Sequence, residues 1–325
     1  MQKSTGPKRV ILSILAGLLI FELFDFLGGY DYIKAALYQP TAEIDAIISQ
    51  LDLTDSGLRT FKATHPELES REMFNQKCDS HDAEIYVLGC YTTGSDKIHL
   101  YQIADTELNG IKESTAAHEL LHATYHRLRD KTGLNQELKK YYDSLKSDND
   151  IKESLKLYSE ADLLDELHSR LGTEVKDLPA ALEKHYHTVF NDQDKIVDYY
   201  NQYADTLKKH EKSVKELATK IETLKTEIEA EEARLTKNSS ELNSKIENYN
   251  RQVELGQYDS IETITNYGYN LKQQIAILNT DYDVLNQKIA TYNQLISDYN
   301  KSVIGAEKVF NSINSNGKTI KTINN

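Results

Sequence analysis

His118-Glu119-Leu120-Leu121-His122 is the stretch of this sequence whose residue types and spacing could do chemistry. Two histidines four positions apart on a helix project from one face, about one turn from each other. Both imidazoles can then reach one metal ion and leave its other positions open. Glu119 projects about 100° around the helix from His118, close enough to touch a water on the metal without ligating it. A zinc ion (Zn2+) there would lower the pKa of that water toward neutrality and polarise a peptide carbonyl. Glu119 would take the proton and later deliver it to the leaving amine. Ala117, Leu121, Thr124 and Leu128 form a mostly apolar stripe at 4–3–4 spacing, so the histidines lie on a face other than the buried one. A pair of ordinary core or surface histidines is the alternative.

The elements that must position this helix are legible around it. The Asn109-Gly110 turn precedes a helical pattern from about Ile111 to Gly133, where glycine makes a good stop. Upstream, Glu84–Leu88 and Lys97–Tyr101 are β-rich runs separated by Thr92–Asp96, which predicts a hairpin. Residues 30–78 are helical in pattern, with Ile44, Ile47, Ile48 and Leu51 on one face and Thr41 as a cap. Residues 136–190 are again helical, broken at Pro179. The catalytic part, residues 30–190, therefore reads as a mainly helical α+β domain. No P-loop, dinucleotide fingerprint or Gly-x-Ser-x-Gly elbow is present.

At these residues the chain resembles the zincin metallopeptidases, specifically the thermolysin-like gluzincins, in which the third zinc ligand is a glutamate on a later helix. The metzincin variant needs a histidine six residues after His122, where Leu128 stands. The gluzincin stretch N-E-x-x-S-D-x-x-G corresponds here to Asp165-Glu166-Leu167-His168-Ser169-Arg170-Leu171-Gly172. The resemblance makes Glu166 the third ligand, with Glu160, Glu174 and His126 as rivals. The chain departs from the pattern in Asp165 for the asparagine, and in Arg170 for the aspartate that orients a ligand histidine. Asp162 or Asp165 could take that second role. The resemblance also implies that the strand Lys97–Ile103 pairs with an extended substrate. His185-Tyr186-His187 could supply an oxyanion-stabilising donor, or be surface residues.

The flanks point to export. Lys3, Lys8 and Arg9 precede the apolar run Val10–Phe21, which reaches Leu27 if Glu22 and Asp25 are tolerated. Residues 1–29 are read as an uncleaved signal anchor, with a cleaved signal peptide or a buried helix as alternatives. Cys78 and Cys90, twelve positions apart, are expected to form a disulfide in an oxidising compartment, two buried thiols being the alternative. A net charge of −13 argues against a nucleic-acid partner.

From about Asp194 the character changes. Leu207, Val214, Ile221, Ile228, Leu235, Leu242 and Tyr249 recur every seven residues, with Leu217 and Leu224 in a companion seam that fails at Glu231 and Asn238. After Gly256, Leu271, Ile275, Leu278, Tyr282, Leu285, Ile289, Tyr292, Ile296, Tyr299 and Val303 alternate steps of four and three. Residues 191–311 are thus predicted to form an antiparallel coiled-coil hairpin, and 312–325 a disordered tail. The expected whole is a single-pass, membrane-anchored zinc peptidase with its bulk outside the cytoplasm, acting on a peptide or protein. It would be secreted if the N-terminal segment is cleaved. The coiled coil offers a surface for a protein partner or self-association. The competing reading is a non-enzymatic coiled-coil surface or adhesion protein with a zincin-like structural module.

Overall fold

In the computed structural model, which describes residues 29–78, 87–156, 158–159 and 162–315, two of the first three helices begin where a capping side chain meets an apolar period. After α1 (Gly29–Leu37), the Thr41 and Thr54 hydroxyls accept from the Ile44 and Gly57 N–H groups. They open α2 (Ala42–Leu51) and α3 (Asp55–Ala63). Ile44, Ile47, Leu51 and Phe61 carry these helices into one core. Three short strands follow, β1 (Glu67–Glu69), β2 (Gly89–Thr92) and β3 (Lys97–Tyr101), with α4 (Arg71–Lys77) between the first two. The long helix α5 (Ile111–Arg127) lies against the sheet through Ala116, Ala117 and Leu120, which meet Ile98 and Leu100 of β3 in the core. Then come α6 (Thr132–Ser144), α7 (Asp150–Leu155), α8 (Leu163–Glu174) and α9 (Ala180–Tyr186).

The strand order is β1-β3-β2, parallel on one side of β3 and antiparallel on the other. This corrects two expectations. The hairpin partner of β3 is Gly89–Thr92, not Glu84–Leu88, because Thr92 pairs with Lys97 across a tight four-residue turn; residues 84–86 lie outside the described residues. In addition, β3 is central, so both edges of its backbone are already occupied and it cannot add a peptide strand. A third correction concerns α5, which stops at Arg127 because Leu128 turns extended. Gly133 instead sits inside α6, whose first turn is held by the Asp130 carboxylate accepting from the Thr132 N–H.

Cys78 and Cys90 are joined in a disulfide, with Cα atoms 5.9 Å apart. The bond ties the end of α4 to β2. Closing so short a loop contributes about 3 kcal/mol in the chain-entropy treatment.

Two long helices, α10 (Gln193–Glu254) and α11 (Ile261–Ile313), complete the chain. The described residues form two compact units, one ending at Thr206 and resuming at Val309, the other spanning Leu207–Lys308. Within the second unit the helices pair antiparallel: Ser213 bonds Ser302, Glu227 pairs with Lys288, Arg234 with Asp281, and the Tyr249 hydroxyl donates to the Ile264 carbonyl. Leu235, Leu242, Leu271 and Leu285 are buried along the seam. Where the companion seam fails at Glu231, Arg234 bridges Glu231 and Asp281 across the helices. Ile275 and Tyr282, expected in the seam, are 38% and 36% exposed. Only one face of each helix can be covered when two helices pair without a third.

In the first unit, Val309, Ile313 and Ser315 are buried, and the Ser315 hydroxyl donates to the Val87 carbonyl. Residues 312–315 are therefore packed rather than part of a loose tail. Among the described residues no helix is long and apolar enough to cross a membrane; the anchor expectation falls on residues 1–28, outside them.

Candidate metal centre

Helices α5 and α8 meet closely because Gly172 leaves no side chain between them. A Cβ there would sit 2.4 Å from Leu121 Cδ1 and 2.6 Å from Tyr186 Cε1. Leu121 belongs to the buried face of α5. The face bearing His118, His122 and His126 then meets the first turn of α8, which carries Asp165 and Glu166.

The His118 and His122 Nε2 atoms lie 3.1 Å apart, and Glu166 Oε2 is 3.7 and 3.5 Å from them respectively. Three atoms so spaced share a centre about 2.0 Å from each, the length of a Zn–N or Zn–O bond. Asp165 stands behind them. Its Oδ1 is 2.9 Å from His122 Nδ1 and its Oδ2 is 2.9 Å from His126 Nε2. With Nδ1–H donating to Asp165, the His122 Nε2 lone pair is the one turned to the shared centre. Asp165→Ala is therefore expected to weaken zinc binding by about 10- to 100-fold. Competition with a chromogenic chelator measures this, and an unchanged affinity would remove Asp165 from the role.

The electrostatics favour a cation here. Burial alone would lower the His118 imidazole, yet the neighbouring Glu166 carboxylate holds it above its ordinary value. His122 is raised well above its own, against burial, by bonds to Asp165 and Glu166. Burial likewise works to raise the Glu166 carboxyl, but the two imidazoles hold it below the usual carboxylate range. Asp165 and Glu166 have histidines as their ion-pair partners among the described residues, so the carboxylates draw positive charge onto the rings. A divalent ion would supply that charge, and the N, N, O donor set suits zinc.

A second group, Glu67, Glu69 and His99, also brings its ligand atoms together. Its cations are already present: Lys77 pairs with both glutamates at 3.0 and 2.8 Å, and Lys97 with Glu67 at 3.0 Å. That cluster is a compensated ion-pair network.

Glu119 is buried, 6% exposed, against the backbone of β2. A Cβ on Gly89 would fall 2.8 Å from both Glu119 Cγ and Oε1, so only glycine admits the carboxylate there. Sequence reasoning passed over Gly89, although a glycine beginning a strand is the available signal of close backbone approach. The Glu119 charge acts on both His118 and His122.

The rival ligands fall elsewhere. Glu174 is held by Arg170 through two bonds of 2.7 and 2.8 Å, two turns along α8, and His126 is engaged by Asp165. Glu160 lies outside the described residues. Arg170, at the place of the family's orienting aspartate, serves Glu174 instead. His185 Nε2 lies 2.8 Å from the Nε2 of fully buried His168, two positions beyond Glu166 and so on the opposite side of α8. His185 is thus not brought to the shared centre as an oxyanion donor. Compared with protein families, curated proteins and solved structures, the chain matches none.

Proposed function

We propose that this protein is a zinc-dependent metallopeptidase of the gluzincin type, held to a membrane by its N-terminal segment and hydrolysing peptide bonds outside the cytoplasm. The observation that carries the reading is the triangle of His118 Nε2, His122 Nε2 and Glu166 Oε2, sized for one zinc ion. These three atoms would hold the metal, and Asp165 would fix the His122 ring. Zinc, when bound, supplies Lewis acidity that acidifies water and polarises a carbonyl oxygen. Glu119 takes the proton of the attacking water at a carboxylate oxygen and passes it to the departing amine. Its burial beside Gly89 keeps that carboxylate from turning to bulk solvent.

An extended substrate would add to β2, which among the described residues pairs only with β3 and lies against Glu119. The Cys78–Cys90 disulfide supports a location outside the reducing cytoplasm. So does the basic flank before the apolar run Val10–Phe21.

Metal analysis of the purified full chain tests the assignment. About one zinc per chain is expected. His122→Ala and Glu166→Ala are expected to lose it while Glu174→Ala keeps it. Chelation should abolish cleavage of an unstructured peptide library and added zinc should restore it. A chain that retains zinc after Glu166→Ala would reject the ligand set. A zinc-loaded chain without turnover would favour the structural-module reading instead.

A further inference from the structure

Helix α1 wears its polarity inside out. Its two charged side chains, Asp31 and Lys34, face the protein. Asp31 accepts from Arg127 Nε at 2.8 Å and Nη2 at 3.3 Å, and Lys34 Nζ donates to Asp96 Oδ2 at 2.6 Å. Arg127 Nη2 closes the network on Asp96 at 2.9 Å. Facing out are Tyr30, Ile33 and Leu37, 61%, 50% and 73% exposed, at the i, i+3, i+7 spacing of one helical stripe. Tyr32, 57% exposed, flanks them and accepts from Arg59 at 2.8 Å. A surface helix of a water-soluble domain has the reverse arrangement, since exposed apolar area is unfavourable and buried charge must be paired.

The sequence immediately before α1 says what covers this stripe. The apolar run that begins at Val10 is unbroken to Phe21 and, with Glu22 and Asp25 tolerated, reaches Leu27, two residues before Gly29. Two residues span at most about 7 Å, so where the run enters a bilayer out to Leu27, α1 begins at the bilayer surface. Tyrosine and aliphatic residues without charge are the side chains that partition to the headgroup–acyl boundary. A second copy of the chain fits less well. One face of the nine-residue helix, about 13 Å long and about 10 Å wide, offers on the order of 130 Å², far short of the roughly 800 Å² per partner that a stable interface needs.

We propose that Tyr30, Ile33 and Leu37 dock into the surface of a lipid bilayer, and that the Asp31–Arg127–Asp96–Lys34 network transmits this fixed orientation to the catalytic unit. Arg127 is the last residue of α5, the helix that carries His118, Glu119 and His122. The docked helix therefore sets how β2 and the His118–Glu119–His122 stretch are presented, and the substrates favoured are peptide segments near the membrane surface. The docking rests on the N-terminal anchor reading, and the substrate preference also on the peptidase reading.

The chain has no tryptophan, so one introduced tryptophan reports alone. Full-length Leu37→Trp would be reconstituted into phosphatidylcholine vesicles with or without brominated acyl chains. Met73→Trp, at a 46% exposed position on α4, serves as the control. Leu37→Trp is expected to float with the vesicles and lose roughly half its emission to the brominated lipid, a depth within the interface. Met73→Trp is expected to lose none. Flotation with Leu37→Trp unquenched, or with both variants quenched equally, overturns the docking while leaving the anchor standing. A chain that does not float overturns both. Zinc content and peptide cleavage, measured on the same samples, report on the peptidase reading separately.

Discussion

With the proposed function, Glu119→Gln is expected to retain bound zinc and lose a factor of about 10² to 10⁴ in peptide hydrolysis. The substitution preserves the shape of the side chain and removes its capacity to accept a proton. Shape matters here because the carboxylate is confined: it is 6% exposed and wedged beside Gly89 and Thr115. A glutamine fits that space, so the fold and the three candidate ligands, none of which is Glu119, are left in place. The measurement pairs zinc content with kcat/KM on one preparation. Loss of both together would make Glu119 a structural residue of the site, and full activity with full zinc would reject the proton-transfer role.

Leu285→Asp is expected to melt the α10–α11 hairpin between about residues 207 and 308 while the candidate metal centre survives. Leu285 is 5% exposed and stands on the seam with Leu235, Leu242 and Leu271. Removing its apolar volume and burying a charge in its place costs about 3–5 kcal/mol. The bonds that remain across the helices, such as Lys288–Glu227 and Arg234–Asp281, are between half-exposed side chains screened by solvent and contribute little. They cannot offset that loss. Circular dichroism should show a large loss of helix, and limited proteolysis should cut within the hairpin but not within the first unit. Unchanged helicity and protease resistance would mean that the seam is not closed through Leu285. Wild-type sedimentation as a stable dimer would assign the seam to two chains.

Features carried by short-range periodicity are legible in the amino-acid sequence itself. His118 and His122 share a face because four residues make about one turn. The long helices follow from steps of four and three. The Cys78–Cys90 bond follows from there being two cysteines, twelve positions apart. Each depends on residues close in sequence, or on there being only one way to pair them.

The features that local pattern leaves open depend on which distant segments meet. Glu166 is distinguished as a candidate ligand only by its meeting His118 and His122 of another helix, whereas the Glu174 pairing with Arg170 is a local i,i+4 contact. Nothing in the local spelling distinguishes Lys97–Tyr101 as the central strand, since sheet order is settled by β1 arriving from upstream to occupy its free edge. Asp165 becomes the brace of both His122 and His126 only because Gly172 lets α8 lie against α5. The sequence alone determined which residues can act, through their chemistry and local period. The tertiary structure decided which of them come together, because contacts between segments distant in the chain are selected by packing and charge pairing that no local pattern encodes.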